Sequence, residues 1–185
     1  MSDLLAERRH AIAVHEAGHT VVAMALGVPV TSVTIVRAGY SGGRTNYDPI
    51  NLPETDGIIA TGGHASTERW KVRESSQVHE KLPLKWPGPT PIPTRNDHKK
   101  LRRYAHELGK NPEGDTHYWI NGRLTLADDI LMRYWAAVEE LVPILFAKVT
   151  LSGEEVTPIW EPHSPKLGAT TEADRAVENS DKTDD

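Results

Sequence analysis

Residues 13–22 have the sequence AVHEAGHTVV, which is the most informative segment of the chain for predicting its fold. Its apolar residues surround two histidines that lie four positions apart. Apolar residues continue at helical spacing in both directions, over residues 4–26, and Gly27 followed by Pro29 is typical of a helix end. The pattern predicts one long N-terminal helix with Asp3 as its cap.

The same stretch carries the chemistry. His15 and His19 are one turn apart and face the same side of a helix, so both imidazoles can reach one cation, and Glu16 borders that site. Zinc bound by neutral imidazoles lowers the pKa of a water towards ~7, and a nearby carboxylate can take its proton during attack on a peptide carbonyl. Burying three such groups on an apolar helix would be costly without a partner such as a metal. The sequence therefore predicts a zinc hydrolase site.

A catalytic zinc needs a third protein ligand besides its water. The chain has no cysteine, so the ligand must be a histidine or a carboxylate. Asp97, near the start of a predicted helix, is the best candidate. The residues alone leave a second interpretation equally open, because Thr94 and Asp97 have the spacing of a helix-capping box. His98 and His64 are rival ligands.

The rest of the chain predicts a mainly α (α+β) fold. Two β-branched or polar stretches predict antiparallel strands, and three further segments predict helices. Glycines within the second helix indicate a close packing contact, and a Pro-rich segment predicts a surface loop or a cover over a cleft. The predicted elements are strands at 30–36 and 44–47, helices at 54–73 and 94–108, a Pro-rich loop at about 74–93, and a last helical region at 124–149 that Pro143 kinks or divides.

Composition limits the function classes. The chain has 185 residues, 38% of them hydrophobic and 25% charged, which is the profile of one globular domain, predicted here over residues 1–160. Residues 161–185 contain seven acids and three bases and predict a disordered acidic tail. The remaining body is nearly neutral, which argues against nucleic acid as a partner. No apolar run predicts a membrane span and no secretory signal is visible, so we expect a cytoplasmic protein.

Other conspicuous residues have ordinary structural interpretations. A lone histidine after two glycines, His64, is more often a packed helix residue than a functional one. Large aromatic residues at helical spacing usually belong to a core, and a basic run on a helix usually forms a solvated face. The aromatic residues are Trp119, Trp135 and Phe146, and the basic ones are Lys99, Lys100, Arg102 and Arg103.

Five blocks, in order along the chain, resemble the peptidase domain of FtsH-type membrane ATP-dependent zinc proteases. The resemblance covers about residues 8–159. The blocks are the HEAGHT helix at 15–20, the strand VTIV at 33–36, the helix with GGHA and Glu68 at 58–68, the Asn96-Asp97 pair with its helix, and LSGEEV at 151–156.

This resemblance implies His15, His19 and Asp97 as zinc ligands and Glu16 as general base. It also implies a zincin-like, mainly helical peptidase domain with a small antiparallel sheet. The edge strand of that sheet could bind an extended substrate by backbone pairing, and residues 42–47 are our prediction for that edge.

The chain also departs from the family. The family carries transmembrane helices and an ATPase module before the peptidase, whereas here the peptidase-like region begins at the N-terminus and no phosphate-binding loop is visible. His64 replaces a family arginine, and the Pro-rich segment has no clear counterpart. The expectation is an ATP-independent, stand-alone peptidase. Its natural substrate, its oligomeric state and its need for a separate ATPase or adaptor stay open.

The leading hypothesis is a soluble zinc metallopeptidase that hydrolyses unfolded or flexible polypeptides, with Glu16 as base. The alternative is a non-catalytic, zinc-stabilised scaffold or adaptor module. A third hypothesis is a narrow regulatory protease that cuts one partner. The intact Glu16 favours catalysis, because a structural zinc site does not need that carboxylate.

Overall fold

The computed structural model describes residues 2–36, 42–78, 95–112 and 114–165. These residues form a mainly helical fold with a small three-stranded antiparallel sheet, which confirms the predicted fold class. None of the described helices combines the length and apolarity that a bilayer crossing requires. In chain order, the elements are α1 Ser2–Ala25, β1 Val30–Thr34, β2 Arg44–Tyr47, α2 Pro53–Val78, α3 Arg95–Glu107, α4 Asp115–Arg133, α5 Trp135–Lys148, β3 Thr150–Ser152, α6 Gly153–Trp160 and a 3-10 turn at Glu161–His163.

Helix α1 ends as the sequence predicts. Gly27 adopts φ +73°, and the Val28 N–H donates to the Ala23 carbonyl at 2.9 Å, which is the Schellman arrangement that favours glycine. Gly109 ends the α3 region in the same way, with φ +68°. The start of α1 differs from the prediction: the helix begins at Ser2, so Asp3 lies within its first turn and is not its cap.

Helices α1 and α2 cross at direct backbone contact. A Cβ atom on Gly18 would lie 2.4 Å from the Gly62 carbonyl oxygen and 2.2 Å from Ser66 Oγ. The Ser66 hydroxyl in turn donates to the Val14 carbonyl at 2.8 Å. The predicted packing role of the α2 glycines is confirmed, because side chains at these positions would force the two helices apart.

Helix α1 lies at the centre of the main core, between α2, α5 and the sheet. Trp135 is buried in this core and Phe146 packs against its edge, as predicted. A second, smaller apolar cluster joins α2, α3 and α4. Its buried members are Ala60, Leu101, Tyr104, Ala105 and Trp119.

The described strands form a sheet of order β2-β1-β3, so β2 is an edge strand among them, as predicted for residues 42–47. In the register, the central Val33 faces Thr45 on one side and Leu151 on the other. The sequence analysis did not predict β3 or α6. Ser152 ends β3 and forms a reciprocal capping box with Glu155, which starts α6 directly after the strand.

Two element boundaries were wrong. Helix α2 continues to Val78, so residues 74–78, predicted as part of the loop, are helical. Residues 79–94, with the remainder of the Pro-rich segment, lie outside the described residues. The last helical region starts at Asp115 and breaks at Tyr134, and Pro143 lies inside α5. Pro143 removes one helical hydrogen bond, but the burial of Val142 and its neighbours on the same helix outweighs that loss.

The predicted tail begins with ordered residues. Residues 161–163 form the 3-10 turn, and the His163 ring contacts Glu140 of α5 at 2.9 Å (Nε2 to Oε2). Residues 166–185 lie outside the described residues.

Candidate metal centre

The two histidines of α1 and Asp97 come together. His15 Nε2 and His19 Nε2 are 3.1 Å apart. Asp97, in the first turn of α3, places Oδ2 3.3 Å from His15 Nε2 and 3.8 Å from His19 Nε2. Among the described residues, these are the one group of three or more histidine and carboxylate side chains whose ligand atoms lie within 4.8 Å of one another.

The donor set fits a zinc ion. A point equidistant from three atoms with these separations lies about 2 Å from each, which matches Zn–N and Zn–O bond lengths. The His19 Nδ1 atom lies 2.7 Å from the Ile59 carbonyl oxygen, an acceptor. A neutral His19 ring that donates from Nδ1 to this oxygen would present the Nε2 lone pair to a bound metal. An outer hydrogen bond of this kind is typical of a metal-binding histidine.

The electrostatics of the site also favour a cation. Burial lowers the pKa of His19, but the hydrogen bond and charge of Asp97, together with the charge of Glu16, outweigh burial and raise the pKa to about 9. The charges that act on the buried His19 ring are therefore those of two carboxylates, Asp97 and Glu16. A divalent cation bound by the three side chains would balance that charge.

Gly63 of α2 lies directly behind the two rings. A Cβ atom at this position would come 2.4 Å from His19 Nε2 and 2.6 Å from His15 Nε2. Only glycine leaves room for both nitrogens to converge, so the residue contributes to the site without donating a ligand atom.

Glu16 is buried and lines the same cavity as the three candidate ligands. The Thr45 hydroxyl donates to Glu16 Oε2 at 2.9 Å, and a Cβ atom on Gly43 would lie 2.7 Å from Glu16 Oε1. The carboxylate is therefore held between α1 and the edge strand β2. Thr45 was not predicted as a site residue, although the alternation of β2 places Thr45 and Tyr47 on the same face.

The cavity has a volume of about 930 Å³ and is bordered on one side by the edge strand. An edge strand presents unpaired backbone groups with which an extended peptide can pair. The pocket thus combines a candidate cation site, a carboxylate and a surface for an extended chain. Besides the four residues above, its lining includes Ile12, Arg44, Thr67 and Asn96.

The rival ligands do not join this group. His64 is buried on α2 and His98 is half-buried on α3. Each directly follows a residue at the site, Gly63 or Asp97, and is therefore turned about 100° around its helix. Burial lowers the pKa of both histidines; Glu68 partly opposes this at His64, and Arg102 adds to it at His98.

One residue of the predicted solvated basic face was placed wrongly. Lys99, Arg102 and Arg103 are exposed, as predicted. Lys100 instead forms an ion pair with the buried Asp56, with Nζ 2.7 Å from Oδ1, and lines the cavity. The local sequence does not reveal this pairing because Asp56 lies on another helix.

Comparison with known proteins supports a distant relationship. No protein-family model matches the chain. It is 24% identical over 195 residues to the ATP-dependent zinc metalloprotease FtsH 3 of Symbiobacterium thermophilum, an alignment that covers 86% of this chain and 31% of the relative. It is also 24% identical over 197 residues to the ATP-dependent zinc metalloprotease FtsH of Thermotoga maritima, with 87% of this chain and 32% of the relative covered. The chain is therefore distantly similar to a region of these FtsH proteins and spans about a third of their length.

Proposed function

We propose that the chain is a zinc metallopeptidase that hydrolyses extended segments of unfolded or flexible polypeptides. His15, His19 and Asp97 are the proposed zinc ligands and Glu16 the proposed general base. The observation that carries the proposal is the convergence of the three donor atoms in a cavity that also holds Glu16 and the edge strand β2. The zinc metalloproteases to which the chain is similar support the same reaction class.

The proposed mechanism assigns each residue a task. Bound zinc supplies Lewis acidity, which lowers the pKa of water and polarises a carbonyl. Glu16 accepts the proton of the attacking water while a C–O bond forms at the peptide carbonyl. It then delivers that proton to the amide nitrogen as the C–N bond breaks. Thr45 holds one Glu16 oxygen by a hydrogen bond, which keeps the carboxylate within the cavity.

The edge strand limits the substrate. Backbone pairing with β2 requires an extended segment, and a folded protein would first have to be unfolded. A separate ATPase or an adaptor is the kind of partner that would supply such segments.

A zinc-stabilised scaffold is the alternative. Structural zinc sites usually have four protein ligands, whereas three donors converge here among the described residues. The buried Glu16 carboxylate beside them favours catalysis.

The test compares wild type with Glu16→Gln, both loaded with zinc, on several unstructured proteins. We expect unchanged zinc content and a loss of turnover of at least about 100-fold, because a general base contributes about 10²- to 10⁴-fold. Glu7→Gln, an exposed change on the same helix, is the matched control and should keep full activity. Equal turnover in wild type and Glu16→Gln would refute the base assignment, and a zinc-loaded wild type that cleaves none of the substrates would favour the scaffold.

A further inference from the structure

A buried carboxylate of α2, outside the proposed site, contacts the two elements that form one wall of the cavity, α3 and β2. Asp56, in the first turn of α2, accepts hydrogen bonds from the hydroxyls of Tyr47 and Tyr104 and from Lys100 Nζ at 2.7 Å. Tyr47 belongs to β2, and Lys100 and Tyr104 belong to α3. We refer to these four residues as the Asp56 network.

Both phenols of the network stay protonated and act as donors at neutral pH. Burial raises the pKa of Tyr104 to about 12, with a further contribution from the hydrogen bond to Asp56. Burial and the same carboxylate also raise the pKa of Tyr47. Lys100 Nζ lies 4.9 Å from the centre of the Tyr47 ring and 5.8 Å from that of Tyr104. The buried carboxylate of Asp56 is therefore paired with the half-buried ammonium group of Lys100, and the two phenol rings lie beside that ammonium group.

Stability alone does not account for this arrangement. Replacing a buried ion pair by apolar residues of similar volume is often neutral or stabilising. A polar network, in contrast, is satisfied in few arrangements, because each donor must meet its acceptor at the right distance and angle. Helix α3 also has apolar contacts with α2 and α4, through residues such as Leu101 and Ala105, and apolar contacts are not directional.

The Asp56 network contacts both the helix that carries Asp97 and the strand that carries Thr45. Asp97, Lys100 and Tyr104 lie three and seven residues apart on α3, so they share one face of that helix. On β2, Thr45 and Tyr47 share a face, and Thr45 holds Glu16. Asp56 thus connects the helix that carries the third candidate ligand to the strand that holds the carboxylate.

We propose that Asp56 is a positioning residue that sets the placement of Asp97 against the two histidines and of Thr45 against Glu16. The proposal rests on the proposed zinc site and adds a residue that neither the motif nor the relatives' names indicate. It predicts two separable effects. Loss of the hydrogen bonds from Lys100 and Tyr104 of α3 should weaken zinc binding, and loss of the hydrogen bond from Tyr47 of β2 should lower turnover.

The experiment measures zinc affinity, by competition with a chelator, and kcat and KM on an unstructured protein. Asp56→Asn should weaken zinc binding about tenfold or more, in the range seen for outer-shell partners of metal ligands. Tyr104→Phe should weaken zinc binding in the same direction by a smaller factor. Tyr47→Phe should leave zinc affinity within about twofold of wild type and lower kcat with little change in KM.

Asp128→Asn is the matched control. Asp128 accepts from Arg69 Nη2 at 2.7 Å and ties α2 to α4, away from α3 and β2. If Asp56 were merely structural, both Asp→Asn variants would lower the melting temperature and neither would change zinc affinity. That result would overturn the proposal. Should Asp56→Asn fail to fold, Tyr104→Phe, which removes a single hydroxyl, decides the question by the same criterion.

The readouts separate this proposal from the proposed function. Zinc affinity requires no cleavage, so a weakened Asp56→Asn variant supports the positioning role even when wild type cleaves nothing. The opposite result is also possible: wild type cleaves the substrate, Glu16→Gln does not, and Asp56→Asn binds zinc as tightly as wild type. That result would support the peptidase function and reject the positioning role of Asp56.

Discussion

The two walls of the candidate metal centre are held in different ways. The wall formed by α1 and α2 depends on steric contact, because Gly18, Gly62 and Gly63 let backbones and imidazole rings approach to distances that no side chain permits. The wall formed by α3 and β2 depends on hydrogen bonds that converge on Asp56. A side chain added at one of these glycines should therefore cause a large loss of zinc affinity or stability. Removal of a single hydrogen bond from the second wall should cause a smaller loss of zinc affinity or turnover.

The largest effect is expected from Gly63→Ala. The new methyl group would lie within 2.6 Å of both histidine Nε2 atoms, so the rings must separate. Metal sites require geometry to within about 0.5 Å, and we expect zinc affinity to fall at least about 100-fold. A chelator competition assay measures this. Gly122→Ala, in open space on α4, is the control and should bind zinc as wild type does; wild-type affinity in Gly63→Ala would show that steric contact does not fix this wall.

Gly18→Ala tests the helix crossing itself. Its Cβ would meet the Gly62 carbonyl at 2.4 Å, and overpacking of this kind costs about 3 kcal/mol. Urea unfolding of the metal-free protein should show that decrease in the free energy of unfolding, while Gly122→Ala should stabilise the protein by up to about 1 kcal/mol through helix propensity. Equal stability of Gly18→Ala and wild type would mean that α1 and α2 can move apart without cost.

Thr45→Val probes the polar wall and should have the smallest effect. It removes the hydroxyl that donates to Glu16 Oε2 and keeps the shape of the side chain. Loss of a hydrogen bond to a charged group costs about 1.5–3 kcal/mol. Because the carboxylate would then be less well placed, we expect kcat to decrease roughly tenfold. Steady-state kinetics check this, with zinc affinity unchanged and Thr45→Ser restoring turnover. A Thr45→Ser variant as slow as Thr45→Val would assign the effect to packing.

The same comparison explains what could be predicted from sequence. The spacing within residues 13–22 is local, so it predicts helix α1, the shared face of His15 and His19 and the position of Glu16. Gly27 marks the helix end by the same kind of local rule. The β-branched alternation in residues 30–36 predicts β1, and the turn residues that follow it predict an antiparallel partner strand at residues 44–47.

The polar wall could not be predicted in this way. Asp97 lies 82 positions from His15, and its local sequence is equally compatible with a helix cap, so a family resemblance was needed to favour it. Lys100 belongs to a basic run, and such runs are usually exposed to solvent. Its partner Asp56 lies on another helix, so the local sequence does not reveal the pair. A local pattern does not determine a contact between distant elements; the packing of the whole fold does.

The most direct test of the account is the zinc affinity and stoichiometry of wild type, His15→Ala, Asp97→Ala and His98→Ala. We predict one zinc ion per chain in wild type and in His98→Ala, the neighbouring histidine that serves as control. Affinity should fall at least about 100-fold in His15→Ala and Asp97→Ala, since each removes one of three protein ligands. Wild-type affinity in Asp97→Ala, or no zinc binding by wild type, would contradict the account.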